Sequence, residues 1–260
     1  MSAAKRRLAQ IALGAAALAA WEGGARLGVL DKFFFSRPGD IVVRLWQWIA
    51  GGSIWPHLGV TLLEALLAFV IGVVWGVLLG FWLARSPLAA DLLDPYIRLF
   101  NALPRVVLAP IFLLWFGLGI WSKVALGVTV VFFIVFFNTY QGVKEVDPVI
   151  LNNARMLGAS ERQLIRHVLI PSALTWIFSS LHISIGFAMI SVVVGEYLGS
   201  SKGVGYVIAQ AEGVFDTTGV FAGMTVLASV VLIVGAGVNR LERWLLRWKP
   251  PVSQMHNKEL

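Results

Sequence analysis

The chain contains no cysteine and few charged residues. Of its 260 residues, only 13% are Asp, Glu, Lys or Arg. Without cysteine, the protein has neither disulfide bonds nor thiolate ligands for a metal. The hydrophobic share is 58% and the mean hydropathy is +0.80. Both values exceed what the core of a soluble protein requires, so the composition predicts a membrane protein.

Motifs for chemistry are missing as well. The four histidines are scattered over different segments and none belongs to an HExxH motif, so we predict no metal site and no catalytic activity. No G-x-x-x-x-G-K-[ST] phosphate loop occurs, so ATP chemistry cannot be assigned to this chain. The net charge of +7 is typical of nucleic-acid binding. However, the basic residues lie at the ends of apolar stretches rather than on one soluble face, so nucleic acid is not predicted as a partner.

Long apolar stretches predict an all-α integral membrane protein. A helix needs about 20 apolar residues to cross the hydrocarbon, and the breakers between stretches delimit about six transmembrane helices. These are expected at 8–30, 58–84, 96–118, 122–141, 172–194 and 219–239. In the third, Pro104 and Pro110 each remove an amide donor, so we expect that helix to be broken. We expect one domain over 1–260 with its core at about 55–245.

The orientation follows from the basic residues. Most of the 21 lysines and arginines fall in segments that are cytosolic if the N-terminus is cytosolic, which predicts that both termini lie in the cytosol. The opening KRR and the apolar run after it also resemble a cleavable signal peptide. We expect the segment to be retained, because the apolar stretch continues past Trp21 and the remaining spans require an even count.

Two patterns concern packing. Residues 33–55 predict an amphipathic helix that lies along the outer membrane surface, between the first two spans. In the second span, Gly72, Gly76 and Gly80 recur at four-residue spacing. Such a stripe of small residues allows the backbone of another helix to approach closely.

A polar segment, 147–171, interrupts the apolar chain and carries its own helix signals. Asp147 followed by Pro148 predicts a helix start, and Gly158 predicts its end in a left-handed conformation. A helix this short is marginal on its own and needs something to pack against. The segment therefore predicts a docking surface for another protein.

The same segment contains a second helix start. Ser160 with Gln163 three residues later predicts a capping box. Pro171 is expected to mark the junction where the next span begins. The segment is thus predicted to contain two short helices before the following transmembrane helix.

The segment resembles the cytosolic loop of bacterial ABC importer permeases of type I topology. That loop has the form EAA, three residues, Gly, nine residues, Ile-x-Leu-Pro. Asn152, Asn153 and Ala154 stand at the EAA places, and Gly158 and Pro171 stand at theirs. In the family, the acidic residue at the first EAA place makes a salt bridge to the ATPase. Asn152 stands at that place here, so this salt bridge is not predicted.

Further segments resemble the nitrate, sulfonate and taurine branch of these permeases. They are ALPRVVLAPIFLLWFGLGIWSK from Ala102, FFNTYQGVKEVDP from Phe136, GVGYVI from Gly203 and LERWLLRWKP from Leu241. The likeness covers about 39–250. One departure is Glu64, where similar permeases often carry a basic residue.

The resemblance implies the type I permease fold and a division of labour. Two copies of the permease, expected as a homodimer in the bacterial inner membrane, form the path for a small anionic solute such as a sulfonate, taurine or nitrate. Two separate ATPase subunits hold ATP and Mg²⁺, and a periplasmic or extracellular binding protein delivers the solute. This chain then needs no cofactor of its own, and its helix from Pro148 to Leu157 is the coupling helix. The residues that the resemblance assigns to the ATPase-coupling loop are Asp147, Pro148, Asn152, Asn153, Ala154, Arg155, Gly158, Ala159, Ser160 and Pro171.

Four polar residues within the spans are candidates for the translocation path. Arg105 lies about 13 Å into its span at 1.5 Å per residue, and a charge there usually faces a cavity or a partner. Arg105 either lines the path and favours an anion, or it pairs with another group for a structural purpose or extends its charge to the membrane surface. Asn101 lies one turn earlier and shares the face of Arg105. Glu196 either bonds to the loop 203–205 or contacts substrate. His182 either packs with a satisfied ring or titrates.

An alternative function is a secondary transporter or channel without an ATPase partner. A secondary transporter typically shows inverted repeats and paired intramembrane charges, and neither is apparent in this sequence. A purely structural scaffold fits the composition but gives no reason for the polar segment 147–171.

Overall fold

Every regular element is helical in the computed structural model, which describes residues 3–245. The all-α prediction is confirmed for these residues. The helices are α1 (Ala3–Arg26), α2 (Lys32–Phe35), α3 (Pro38–Ala50), α4 (Ile54–Arg85), α5 (Pro87–Ala102), α6 (Ala109–Phe116), α7 (Ile120–Lys144), α8 (Pro148–Met156), α9 (Glu161–Leu164), α10 (Ile170–Leu198), α11 (Val204–Gly213) and α12 (Thr217–Leu245). A 3₁₀ turn, Arg105–Leu108, precedes α6, and a π turn, Ile165–Leu169, joins α9 to α10.

Four helical stretches in the described part are long and apolar enough to cross a membrane. They are α4, α7, the continuous stretch Glu161–Leu198 and the Thr217–Val238 part of α12. α1 has 24 residues but is not among them. The first predicted span is therefore a helix whose crossing stays a prediction. The predicted cytosolic C-terminus and the end of the LERWLLRWKP segment lie outside the described residues.

The third predicted span is broken, as expected. α5 and the following 3₁₀ turn with α6 form an angle of 89°. The break lies at Leu103 and Pro104, between the two elements. Pro110 was expected to interrupt the helix as well, and this was wrong. It lies in the first turn of α6, where a missing N–H leaves no hydrogen bond unmade.

The glycine stripe of α4 packs directly against α7. A Cβ atom on Gly72 would lie 2.7 Å from the Cβ of Val131, and one on Gly80 would lie 2.7 Å from the carbonyl oxygen of Phe136. A Cβ on Gly76, between them, would lie 2.9 Å from a carbonyl oxygen of α7. The predicted close approach of a helix backbone is confirmed.

These contacts also fix the direction of the two helices. Since Gly72 contacts Val131 and Gly80 contacts Thr139, residue numbers rise together along the pair and the helices are parallel. Both helices are long enough to span, so the chain between them must return from one end to the other. We conclude that α5, the 3₁₀ turn and α6 form one broken crossing.

The described chain falls into two compact units, 3–63 with 193–229 and 64–192 with 230–245. In the second unit, α10 packs antiparallel to α7. A Cβ on Gly142 would lie 2.8 Å from the Cβ of Trp176, and one on Gly127 would lie 3.4 Å from the Cγ2 of Val192. α4, α7 and α10 thus form a bundle, and the segment 145–169 joins two of its helices at one end.

The bundle end that carries this segment is basic. Arg85 ends α4, Lys144 ends α7, and Arg155, Arg162 and Arg166 follow. This is the distribution expected of a cytosolic face. Lys123 lies at the opposite end of α7. There its side chain is fully buried and Nζ donates to the carbonyl of Leu118 at 2.7 Å.

The predicted amphipathic helix is α3. Val42, Val43, Trp46 and Ile49 are exposed, while Ile41 is buried. An exposed apolar stripe on a helix beside membrane spans is typical of an element that lies in the membrane interface. Its position on the outer surface stays a prediction.

The glycine stripe can be tested with a matched pair of alanine substitutions. We expect Gly76→Ala to lower the free energy of unfolding by about 1–3 kcal/mol, because the added methyl overpacks the helix contact. Gly186→Ala is the control, since nothing lies within 4 Å of the Cβ it adds to α10. Thermal unfolding of the purified protein measures both, and equal effects would contradict the packing described.

Candidate coupling loop and translocation-path residues

α8 begins where the sequence predicted. Asp147 is its N-cap, and the side-chain Oδ1 accepts a hydrogen bond from the backbone N–H of Val149 at 2.8 Å. Pro148 occupies the first turn, where its fixed φ suits a helix and its missing N–H is not needed. Both residues therefore set the start of the helix.

α8 ends in a Schellman motif. Gly158 has φ +83°, a left-handed conformation that glycine adopts without a steric cost. Its N–H donates to the carbonyl of Arg155 at 2.9 Å, and the N–H of Ala159 donates to the carbonyl of Ala154 at 3.0 Å. These two bonds satisfy carbonyl groups that the end of a helix leaves without donors. The predicted helix end at Gly158 is confirmed.

The predicted capping box is also present. The N–H of Gln163 donates to Oγ of Ser160 at 3.4 Å, and the N–H of Ser160 donates to Oε1 of Gln163 at 2.8 Å. α9 therefore begins with two of its donors satisfied by side chains.

The next helix begins at the predicted junction, since α10 starts at Ile170, but no break separates it from the loop. Helical structure continues from Glu161 to Leu198 over 38 residues, and Pro171 lies inside it. A proline in a helix removes one donor and crowds the carbonyl four residues earlier. The π turn Ile165–Leu169 immediately precedes it, and this wider turn accommodates the proline without ending the helix. The loop is therefore continuous with a transmembrane helix.

The loop is held to the bundle by apolar and ionic contacts. Leu151 of α8 packs on a buried cluster formed by α4, α7, the turn after α7, the π turn and α10: Ala84, Val143, Val146, Leu169 and Ala173. Nη2 of Arg85 donates to Oε2 of Glu161 at 3.0 Å, and Arg155 lies 3.5 Å from the same carboxylate. Exposed ion pairs contribute about 0–1 kcal/mol, so the burial of Leu151 is the stronger attachment.

The pair of Arg85 and Glu161 was not predicted from the sequence. One ends α4 and the other begins α9, and only the folded bundle brings these helix ends together. No spacing in the sequence indicates a pair so far apart.

The loop carries exposed apolar side chains. Met156 is 86% exposed and Leu157 is 88% exposed. Beside them lies a groove of about 280 Å³, whose lining includes Gln163 and His167. Asn152 and Asn153, at the EAA places, are also exposed. Exposed apolar side chains clustered on a polar element mark an interaction surface.

Arg105 closes the break in the third span. Since Pro104 has no N–H, the carbonyl of Phe100 lacks its helical donor. Nη1 of Arg105 donates to that carbonyl at 2.5 Å. Nη2 donates to the backbone carbonyl of Asn101 at 3.1 Å and to its side-chain Oδ1 at 3.0 Å. The guanidinium thus replaces missing backbone donors at the C-terminal end of α5.

The guanidinium also has an aromatic partner. Its Cζ lies 4.4 Å from the ring centroid of Phe133 on α7, within the range of a cation–π interaction. Of the two interpretations left open for Arg105, this geometry favours structural pairing. Asn101 shares the face of Arg105, as the sequence predicted.

Glu196 belongs to the first compact unit and is 1% exposed. Its Oε2 accepts from the N–H of Gly205 at 2.7 Å, and its Oε1 accepts from Oγ1 of Thr61 at 2.6 Å. A carboxylate at the first turn of α11 is favoured by the helix dipole. The expected bond between Glu196 and the loop is therefore present.

The neighbouring amides of this loop are satisfied in the same way. The N–H of Val204 donates to Oγ1 of Thr61 at 2.9 Å, and the N–H of Gly203 donates to Nδ1 of His57 at 3.2 Å. Gly205 allows this close approach, because a Cβ there would lie 2.4 Å from the carbonyl oxygen of Val193. Sequence analysis missed the roles of Thr61 and His57, which lie one turn apart on α4.

His182 lies on α10 in the second unit, and its side chain is exposed. The described contacts bring Asn101 and Arg105 together. The path roles proposed for these four polar residues stay predictions. No group of three or more His, Asp or Glu residues suited to a metal ion occurs within 3–245.

The comparison with protein families decides the class. The model of the binding-protein-dependent transport system inner membrane component matches residues 72–249. This chain belongs to that family. It is an ABC importer permease of the binding-protein-dependent type, and the match includes the whole segment 147–171.

Curated relatives match most of the permease. The putative aliphatic sulfonates transport permease SsuC of Bacillus subtilis is 34% identical over 91% of this chain and 86% of the relative. The taurine transport system permease TauC of Escherichia coli is 30% identical over 91% and 88%. The formylaminopyrimidine transport permease ThiX of Halalkalibacterium halodurans is 34% identical over 88% and 91%. The resemblance to the sulfonate and taurine branch is confirmed.

A solved structure supports the fold. A chain of the methionine ABC transporter MetNI, in an inward-facing conformation, superposes with a TM-score of 0.58 over 76% of this chain and 96% of that chain. The sequence identity is 21%. The predicted type I permease fold is confirmed.

The capping role of Arg105 predicts a loss of stability when the side chain is removed. Arg105→Ala leaves two helix-end carbonyls without donors, and we expect it to lower the free energy of unfolding by about 1.5–3 kcal/mol. Arg98→Ala is the control, because Arg98 pairs with Asp94 on an exposed surface and such pairs contribute about 0–1 kcal/mol. Thermal unfolding measures both. An Arg105→Ala permease that is fully stable but transports poorly would favour the path interpretation instead.

Proposed function

We propose that two copies of this permease form the translocation path of an ATP-driven importer and that the segment 147–171 docks onto its ATPase subunits. The observation that carries the proposal is the structure of this segment. α8 is capped at both ends, the segment contacts the bundle, and it exposes apolar side chains. An element with no binding role gains nothing from exposing Met156 and Leu157. A separate ATPase also accounts for a permease sequence without a phosphate loop.

The attachment of α8 suits the transmission of force. Leu151 and the Arg85–Glu161 pair connect the segment to α4, α7 and α10. Since the helix from Glu161 runs on to Leu198, a displacement of the loop moves a transmembrane helix with it. Closure of the ATPase pair then switches the path between inward and outward access by rigid-body movement.

The contact with the ATPase relies on apolar burial and amide hydrogen bonds. Leu157 and Ile150 supply exposed apolar surface, and interface cores are depleted of charged residues. Asn152 and Asn153 each offer an amide that donates and accepts. The acidic residue of the family pattern is thus replaced by a neutral group in the same place.

For the substrate we propose a small organic sulfonate. Two of the relatives described are named for aliphatic sulfonates and for taurine, and each of these solutes carries a sulfonate group. The relative named for formylaminopyrimidine is just as similar. The outer binding protein is therefore the main selector, and the permease accepts what it delivers.

Gly158 offers a direct test of coupling. Gly158→Val strains the left-handed turn, whereas Gly158→Asn is tolerated because asparagine adopts that conformation more readily. No atom lies within 4 Å of an added Cβ, so the difference reports the backbone. We expect the valine variant to lose most ATP-driven uptake and the asparagine variant to keep most of it, as measured in proteoliposomes with the co-expressed ATPase. Normal uptake by the valine variant would contradict the assignment of this segment as the coupling loop.

The substrate proposal predicts which solute stimulates ATP hydrolysis. We expect taurine or an alkanesulfonate, presented by the partner binding protein, to raise the ATPase rate of the reconstituted complex several-fold. The control is the same binding protein with a neutral analogue that lacks the sulfonate group. Stimulation by formylaminopyrimidine but not by a sulfonate would contradict the proposed substrate. It would not contradict the proposal that the complex is an importer.

A further inference from the structure

A groove of about 690 Å³ runs between α4 and α10 in the second unit. Its walls are apolar side chains of the two helices, among them Leu78, Trp82, Ile170, Leu174 and Ile177. Several are well exposed, including Leu78 at 56% and Trp82 at 50%. Because both helices are long enough to cross the membrane, the groove lies at the depth of the hydrocarbon.

The mouth of the groove is basic. Arg85 and Ser86 line it at the end of the bundle that carries the coupling loop. Arg166 lies about one turn before Ile170 on the same helical stretch and is exposed. One guanidinium nitrogen of Arg85 donates to Glu161 at 3.0 Å, and a guanidinium has five N–H donors in all. An anionic group can therefore bind Arg85 beside Glu161.

We propose that this groove binds an anionic phospholipid, with an acyl chain between α4 and α10 and its phosphate against Arg85. Arg85 complements the negative headgroup, and basic pockets between transmembrane helices are the sites where such headgroups bind. From Val77 to Arg85 the wall extends about 12 Å at 1.5 Å per residue. This approaches the depth of one leaflet, half of a hydrocarbon core about 30 Å thick.

Charge argues against a second copy of the permease as the occupant. A two-fold interface is isologous, so residue i of one copy contacts residue j of the other copy, and residue j contacts residue i. When the axis runs along the membrane normal, residues at one depth face residues at the same depth. Arg85 and Arg166 of one copy would then face the same residues of the other copy. Like charges brought together at an interface are unfavourable. A lipid fits both parts of the groove: its apolar chain matches the apolar walls, and its negative headgroup matches Arg85 at the mouth.

The test is native mass spectrometry of the purified transporter in detergent, titrated with phosphatidylglycerol or with phosphatidylcholine of the same chains. We expect phosphatidylglycerol to be retained preferentially. Arg85→Gln is expected to weaken that binding roughly fivefold, the effect of one arginine near a membrane surface. Leu174→Trp fills the groove without touching the headgroup site and is expected to prevent retention.

Two control variants separate the lipid site from the coupling loop and from general surface charge. Glu161→Gln breaks the ion pair of Arg85 but leaves the arginine, so binding should persist. Arg98→Gln removes a basic residue outside the groove and should also have no effect. Thermal unfolding checks that each variant is folded.

Three outcomes would overturn the proposal. One is equal retention of the two lipids. Another is equal weakening by Arg98→Gln and Arg85→Gln, which would indicate attraction to the surface charge alone. The third uses the absence of native cysteine: efficient disulfide cross-linking between two permease copies that carry Leu174→Cys would make the groove an interface between subunits. None of these measurements depends on ATP hydrolysis.

Discussion

Inside a bilayer, backbone N–H and C=O groups have no water to bind, so every irregularity in a spanning helix must be satisfied by the protein itself. This constraint accounts for two proline sites of the second unit, Pro104 and Pro171. At Pro104 the crossing breaks, and Arg105 donates to the carbonyls that the break leaves without helical donors. At Pro171 the helix continues, because the π turn before it accommodates the missing bond. The same residue type thus produces a bend in one place and an unbroken helix in the other.

The continuous helix through Pro171 supports the coupling role proposed for the segment 147–171. Had the chain broken there, α8 and α9 would have formed a flexible attachment to the spans. Instead, the capping box of Ser160 begins a helix that extends to Leu198, and Leu151 fixes α8 to the same bundle. The close contact of Gly72, Gly76 and Gly80 with α7 makes that bundle stiff, since tight backbone packing leaves few alternative arrangements. A loop of this build suits the proposed transmission of displacement from an ATPase.

Local features of the fold were predictable from the sequence. The Asp147 cap, the Gly158 turn and the capping box of Ser160 each depend on residues within one turn of each other, and the glycine stripe depends on one helical period. Features set by tertiary contacts were not predictable: the Arg85–Glu161 pair, the burial of Lys123 and the partners of Glu196. The π turn also left no pattern, because Ile165–Leu169 contains no residue that marks it. Arg105 was identified, but its capping role requires the path of the chain around Pro104.

The central claim is that the exposed apolar face of the loop contacts a separate ATPase. The permease has no native cysteine, so Leu157→Cys places a single thiol on that face. The most direct measurement is cross-linking from this thiol, with a short heterobifunctional reagent, to the ATP-binding subunit co-purified with the permease. The account predicts a permease–ATPase product from Leu157→Cys and none from Trp121→Cys, at the opposite end of α7. Equal products from both positions, or none from Leu157→Cys in a complex that hydrolyses ATP and transports, would contradict it.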